Sequence, residues 1–266
     1  MWLNVRAQLT YDFAKACETL LLIEAARGAD QTVHDEVLTL SPNGEVARLD
    51  DSLTGERRAV IEAHGRLKID YRATVEVAAR DHHAIKGAAA VPIRDLPGEA
   101  LRYLRPSRYC PSDRFERFVH REFGHLQGGD KVEAILDWIC AHVDYTPGVS
   151  DSATTAVDTF TDRAGVCRDF AHLAICLCRA AEIPARAVSA YAWKLQPADL
   201  HAVVEVFVGG RWRLADPTRK APVEGLVRIA SGGDAADIAF MTVFGAAELV
   251  SQSFEVKKAR ARTAAA

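Results

Sequence analysis

Over residues 1–95 hydrophobic and polar positions alternate. Leu3, Val5, Ala7, Leu9 and Tyr11 are interleaved with Asn4, Arg6, Gln8 and Thr10, and Leu67, Ile69, Tyr71, Ala73, Val75 and Val77 alternate more cleanly still. A period of two marks strands with one buried and one wet face. Residues 18–24, 33–40 and 58–64 read as further strands. Arg27-Gly28-Ala29-Asp30, Ser41-Pro42-Asn43-Gly44 and Leu53-Thr54-Gly55 lie between them as turns. Short strands with regular turns predict an antiparallel β-sandwich over residues 1–95. Pro92, Pro97 and Pro106 then mark a linker.

From Pro111 the period changes to that of a helix. Phe115, Phe118, Val119 and Phe123 form one apolar stripe, and Val132, Ile135, Leu136 and Ile139 form another with Asp130 as its N-cap. Residues 145–152 read as a loop. A third helix is predicted over 167–181, stopped by Pro184, and strands over 186–193, 201–208 and 211–215. This is an α+β pattern, so the expected organisation is a β domain (1–95), an α+β domain (96–256) and a mobile tail (257–266).

Composition narrows the functional classes. There are 33 Lys and Arg against 36 Asp and Glu, a net charge of −3, so no broad nucleic-acid-binding surface is expected. Six cysteines in 266 residues, with no C-x-x-C, do not make a disulfide scaffold. Reduced thiols and a cytoplasmic location are expected. The opening MWLNVRAQLTYDF lacks a basic segment followed by an apolar one, and no apolar run reaches membrane-spanning length, so neither a signal peptide nor a membrane partner is expected.

Candidate chemistry concentrates at three residues. Cys167 follows Gly165-Val166 and opens the third predicted helix, where the helix dipole and free backbone N–H groups favour a thiolate. Cys17, Cys110, Cys140, Cys176 and Cys178 read as small core residues. His201 begins an apolar strand that turns at Gly209-Gly210 and returns as Arg211-Trp-Arg-Leu-Ala-Asp216. A two-residue turn pairs Val208 with Arg211. Asp216 then faces Val203, within diagonal reach of His201 on the same face. Nucleophile, base and orienting acid together form the pattern of a thiol acyl-transfer enzyme.

Gly165-Val-Cys-Arg-Asp-Phe-Ala-His172, Ile183-Pro-Ala-Arg186, His201-Ala-Val-Val-Glu205 and Trp212-Arg-Leu-Ala-Asp216-Pro-Thr218 resemble the core of the transglutaminase-like superfamily. The resemblance spans about residues 130–220. It implies a papain-like fold with Cys167 as nucleophile, His201 as base and Asp216 as orienting acid. Leu104-Arg-Pro-Ser-Arg-Tyr-Cys110 and Asp234-Ala-Ala-Asp-Ile-Ala-Phe240 are similar to a bacterial subgroup described as transglutaminase-like cysteine proteases with an N-terminal β domain. Gly233 departs from that pattern, which has Arg there, and so points to a different substrate.

The expected activity is therefore that of a cysteine protease or amidase working on a protein or peptide through a thioester. The alternatives are a protein-glutamine transglutaminase with an amine acceptor and a non-catalytic peptide-binding module. Arg168, Tyr109, Tyr145 and Trp212 are the candidate substrate contacts, with Trp212 walling the cleft. The Cys167 N–H is the expected first oxyanion donor, and the second is left open among Tyr109, Trp138 and Tyr145. Asp169 is expected to stabilise the helix start and His172 to be structural, and adjacent His82-His83 reads as a surface pair. No calcium loop, H-E-x-x-H, phosphate-binding or dinucleotide motif occurs, so no metal or cofactor is expected.

Overall fold

The computed structural model describes residues 1–51, 54–80 and 85–260. His82-His83 and residues 261–266 lie outside them. Four strands come first: β1 (Trp2–Leu21), β2 (Gln31–Ser41), β3 (Val46–Arg48) and β4 (Ala59–Val77). The two runs at each of residues 2–21 and 59–77 are continuous strands, paired antiparallel along their whole length. At their middle, Phe13 faces Gly65 and Cys17 faces Ala63, so three residues of β1 oppose His64 alone. Two extra residues leave the parity intact. Odd-numbered side chains therefore stay buried on both sides of the bulge, from Leu3 to Phe13 and again at Thr19 and Leu21.

The expected linker is packed. It contains α1 (Gly98–Leu101) between short 3-10 turns, and Leu96, Ala100 and Tyr103 are buried. The α+β part continues with α2 (Glu116–Phe123), α3 (Gly128–His142), β5 (Asp144–Tyr145), α4 (Ala156–Asp162), β6 (Ala164–Gly165) and α5 (Cys167–Ala180). Strands β7 (Ala185–Ala192), β8 (Leu200–Val208), β9 (Arg211–Ala215) and β10 (Leu226–Gly232) follow. The chain then adds α6 (Ala235–Ile238), β11 (Met241–Val243) and β12 (Ala247–Lys258). The N-cap of α3 is Gln127 rather than Asp130, whose carboxylate instead accepts from the Gly87 N–H at 2.9 Å.

The strands form a four-stranded sheet, β10-β7-β8-β9, and a six-stranded one built on β1 and β4. The second holds the antiparallel strands expected over residues 1–95 and reaches beyond that span. It is one hydrogen-bonded sheet with two halves that share β1 and β4: β12 and β2 flank the first half, and β11 and β3 flank the second. It also takes β11 and β12 from the other end of the chain. Lys257 and Lys258, expected in a mobile tail, pair with Asn4 and Leu3.

A continuous core joins the two sheets through α5. Every residue of α5 from Asp169 to Arg179 is buried, which places this helix at the centre of the core. Tyr71 of β4 stacks on Tyr191 of β7, and the Tyr191 hydroxyl donates to the Ile23 carbonyl. No helix of the described residues is long and apolar enough to cross a membrane.

Candidate active site

The start of α5 is set by Gly165, Val166 and Asp169. Val166 is extended, and the Asp169 carboxylate reaches back to accept its N–H at 2.8 Å. A Cβ on Gly165 would stand 2.7 Å from the Asp169 Cβ, so only glycine leaves room for this closure. The arrangement leaves Cys167 at the first helical position, half-buried, at the positive end of the helix.

The hairpin has the expected register. Gly209 and Gly210 both have positive φ, as a two-residue hairpin turn requires, and β8 pairs with β9 from Val208–Arg211 through Val204–Ala215. His201 is only 1% exposed. Its Nε2 lies 2.9 Å from Asp216 Oδ2. Asp216 is fully occupied: Oδ2 also accepts from the Ala221 N–H (2.9 Å), and Oδ1 accepts from the Thr218 N–H (2.9 Å) and hydroxyl (2.8 Å). Burial alone would raise this carboxyl, but the His201 bond and these donors outweigh it and hold the pKa below the usual range. The turn after Asp216 is tied to α3, where Cys140 Sγ lies 3.1 Å from the Pro217 carbonyl and Arg219 pairs with Asp137.

With Nε2 engaged by Asp216, Nδ1 of His201 is the free nitrogen. It is buried with no short hydrogen bond. Burial opposes a charged imidazole, but hydrogen bonding to Asp216 and to Cys167, with the charges of both, raises His201 to about 9. The thiol therefore interacts with the ring without a tight bond, as resting nucleophile–base pairs commonly do.

Tyr145 is the third group at the sulfur. The two-residue parallel bridge between β5 and β6 sets Tyr145 beside Gly165. Its hydroxyl stands within electrostatic reach of Cys167. Burial, with the nearby Cys167 charge, pushes it up to about 12, so it keeps its proton. The Lys220 ammonium sits 4.3 Å from the Tyr145 ring centroid. Asp199 stands at the edge, its carboxyl raised by burial and its side chain accepting from the Leu200 N–H.

Other expected contacts are engaged elsewhere. The Tyr109 hydroxyl donates to the Ser152 carbonyl (2.9 Å) while its ring stacks on His172. Arg168 donates to Asp169 and to the Asp151 carbonyl (2.6 Å). Both side chains brace the 149–153 loop against the helix. Trp138 packs with Phe118 and Phe160. Trp212 packs edge-on to Tyr103 and Phe207 beneath the α1 segment, with Arg186 over its face. His172 is structural. It accepts from the Ala235 N–H at 3.1 Å, and burial pushes it down to about 4. Gly233 lies by Ser107 and Asp237, and its carbonyl accepts from Arg179. Sequence reasoning missed the clasp on Asp216, although Asp216-Pro217-Thr218 carries its signal: a hydroxyl two residues after an aspartate closes back on the carboxylate. Among the described residues, no three His, Cys, Asp or Glu side chains converge as a metal site.

Residues 117–217 match the family model of the transglutaminase-like superfamily, and residues 1–99 that of the bacterial transglutaminase N-terminal domain. The chain is similar to the crystal structure of "a Putative Cysteine Protease from Cytophaga hutchinsonii", with 38% identity, a TM-score of 0.92, and coverage of 99% of this chain and 92% of that one. It is 30% identical over 146 residues to the uncharacterized protein ML0607 of Mycobacterium leprae. That match covers 51% of this chain and 52% of the relative, so the chain spans about half the length of this curated relative. With its core and its N-terminal region both matched, the chain belongs to the transglutaminase-like superfamily.

Proposed function

We propose that this protein is a thiol hydrolase of amide bonds, a protease or amidase, acting through Cys167, His201 and Asp216. Nδ1 of His201 takes the thiol proton, and the Cys167 sulfur attacks the amide carbonyl. The Cys167 N–H and the Tyr145 hydroxyl donate to the oxygen as it gains negative charge. The C–N bond breaks as the imidazolium protonates the leaving amine, which leaves a thioester. Water then attacks the thioester, giving its proton to Nδ1, and the acid and free thiol are released. Asp216 holds the ring with its proton on Nε2 and stabilises the imidazolium. The observation that carries this reading is the 2.9 Å bond from His201 Nε2 to Asp216, which leaves Nδ1 as the nitrogen without a partner. Water is favoured over an amine as acceptor because the similar structure from Cytophaga hutchinsonii is described as "a Putative Cysteine Protease".

Alkylation tests the nucleophile. Cys110, Cys176 and Cys178 are buried, whereas Cys17, Cys140 and Cys167 are half-buried. At pH 6 iodoacetamide should modify Cys167 much faster than Cys17 or Cys140, and His201→Ala should abolish the difference. Equal rates at the three half-buried thiols would defeat the assignment. Incubation with a peptide or acyl-amide library should then trap a thioester on Cys167 that water clears. Clearance only on adding a primary amine would favour the transglutaminase reading instead.

A further inference from the structure

Alternation along β8 puts Val204, Val206 and Val208 on the side packed against α5, and Glu205 on the other. There Arg186 of β7 and Arg228 of β10 both reach Glu205. The Arg186 Nε donates at 2.7 Å, and one terminal nitrogen of Arg228 pairs with the other carboxylate oxygen. The second terminal nitrogen of Arg228 donates to Asp30 at 2.7 Å, and Arg80 donates to the other oxygen of Asp30 at 2.6 Å. Arg80, Arg186, Arg228 and Glu205 are all nearly buried. Among the described residues, three guanidinium groups thus share two carboxylates, and one positive charge is left over.

Excess charge in a buried cluster is costly unless a counter-charge completes it. The cluster lines a cavity of about 210 Å³, whose wall includes Asp30, Arg80, Glu205, Arg228 and, from the edge strand β9, Arg211 and Trp212. The Nε–H of Arg228 is buried and has no partner. The Arg80 guanidinium is held below its ordinary pKa, chiefly by burial and partly by the charge of Arg228. We infer that this cavity binds a small oxyanion, a phosphate or carboxylate group, which supplies the missing negative charge. The terminal nitrogens of Arg80 are held by Asp30 and by the Val223 and Leu226 carbonyls, so Arg80 contributes charge, and the Arg228 Nε–H is the donor left for an oxygen. The site joins the two sheets: Asp30 and Arg80 flank β2 and β4, while Glu205 and Arg228 belong to the other sheet. Bound anion would clamp them together. No residue proposed for the amide chemistry takes part.

Titration calorimetry and thermal melting of the full chain test the site, with inorganic phosphate and succinate as probes and chloride at matched ionic strength as reference. A saturable heat at millimolar concentration and a rise of several degrees in Tm are expected with at least one probe. A response to phosphate alone assigns the site to phosphate groups, and a response to both assigns it to oxyanions generally. Arg80→Gln leaves Arg186 and Arg228 as the guanidiniums paired with Asp30 and Glu205, and should weaken binding at least tenfold. Cys167→Ala should respond as the parent does. The absence of a saturable response to either probe in the parent protein overturns the site, and this holds even if Arg80→Gln fails to fold. An undiminished response in folded Arg80→Gln overturns it equally.

Discussion

The Tyr145 hydroxyl and Asp216 carboxylate carry the sharpest expectations. Tyr145→Phe removes one proposed oxyanion donor from a buried site and should lower kcat by about 10²–10³ with little change in KM, as measured by steady-state kinetics on a cleavable amide. A change confined to KM would show that Tyr145 merely lines the pocket. Asp216→Asn keeps the clasp from Thr218 in part but removes the charge and permits the wrong imidazole tautomer, so a loss of about 10²–10⁴ in turnover is expected. Combined with His201→Ala it should add little further loss, because the two act as one unit; fully multiplicative losses would separate them. The two buried histidines also predict the pH dependence of stability. His201, raised to about 9, binds its proton more tightly when folded than when unfolded. Its contribution is complete below about pH 6.5 and is lost as pH rises through 9. His172, lowered to about 4, is neutral when folded, so stability falls as pH drops from about 6.5 toward 4. Thermal melts should peak near pH 6.5. His201→Gln should flatten the alkaline limb alone.

At the level of single elements, the start of α5 is the part most sensitive to one methyl group. Gly165→Ala would press its Cβ against Asp169. It should cost about 1–3 kcal/mol in urea denaturation and depress activity further by moving Cys167. An unchanged midpoint would mean that Asp169 can rotate aside. The strands β7, β8 and β9 and the helix α5 were readable because their signals are local: an apolar run, a Gly-Gly turn, a proline stop. The β5–β6 bridge has no such signal, being only two residues on each strand. That bridge is what separates Tyr145 from Tyr109 and Trp138. All three are aromatic residues with a polar hydrogen, and nothing in their neighbours in sequence tells which one meets the sulfur.

The whole molecule depends on its two ends meeting. β12 covers β1 from Leu3 to Phe13. A chain ending at residue 246 would bare that edge and its unpaired N–H and C=O groups. It should aggregate or melt far below the parent, as light scattering and calorimetry would show; a soluble, equally stable truncation would mean that the sheet closes without its C-terminal strand. The proline-marked 92–106 segment should resist limited proteolysis, since Leu96, Ala100 and Tyr103 are buried in it.

Residues near one another along the chain, with the hydrophobic period and turn chemistry they carry, were enough to place Cys167 at a helix start and to bring Asp216 to His201 across a hairpin. Burial of one face sets the strand register, and a glycine pair sets the turn, so both are written locally. Tertiary structure alone decided which aromatic hydroxyl stands at the thiol, that Arg168 and Tyr109 hold a loop, that Trp212 packs beneath α1, and that the last strand completes the first sheet. Those outcomes rest on contacts between segments far apart in the chain. A side chain's type is the same whether it meets the sulfur, a carbonyl or a packed ring, and only the fold brings it to one of them.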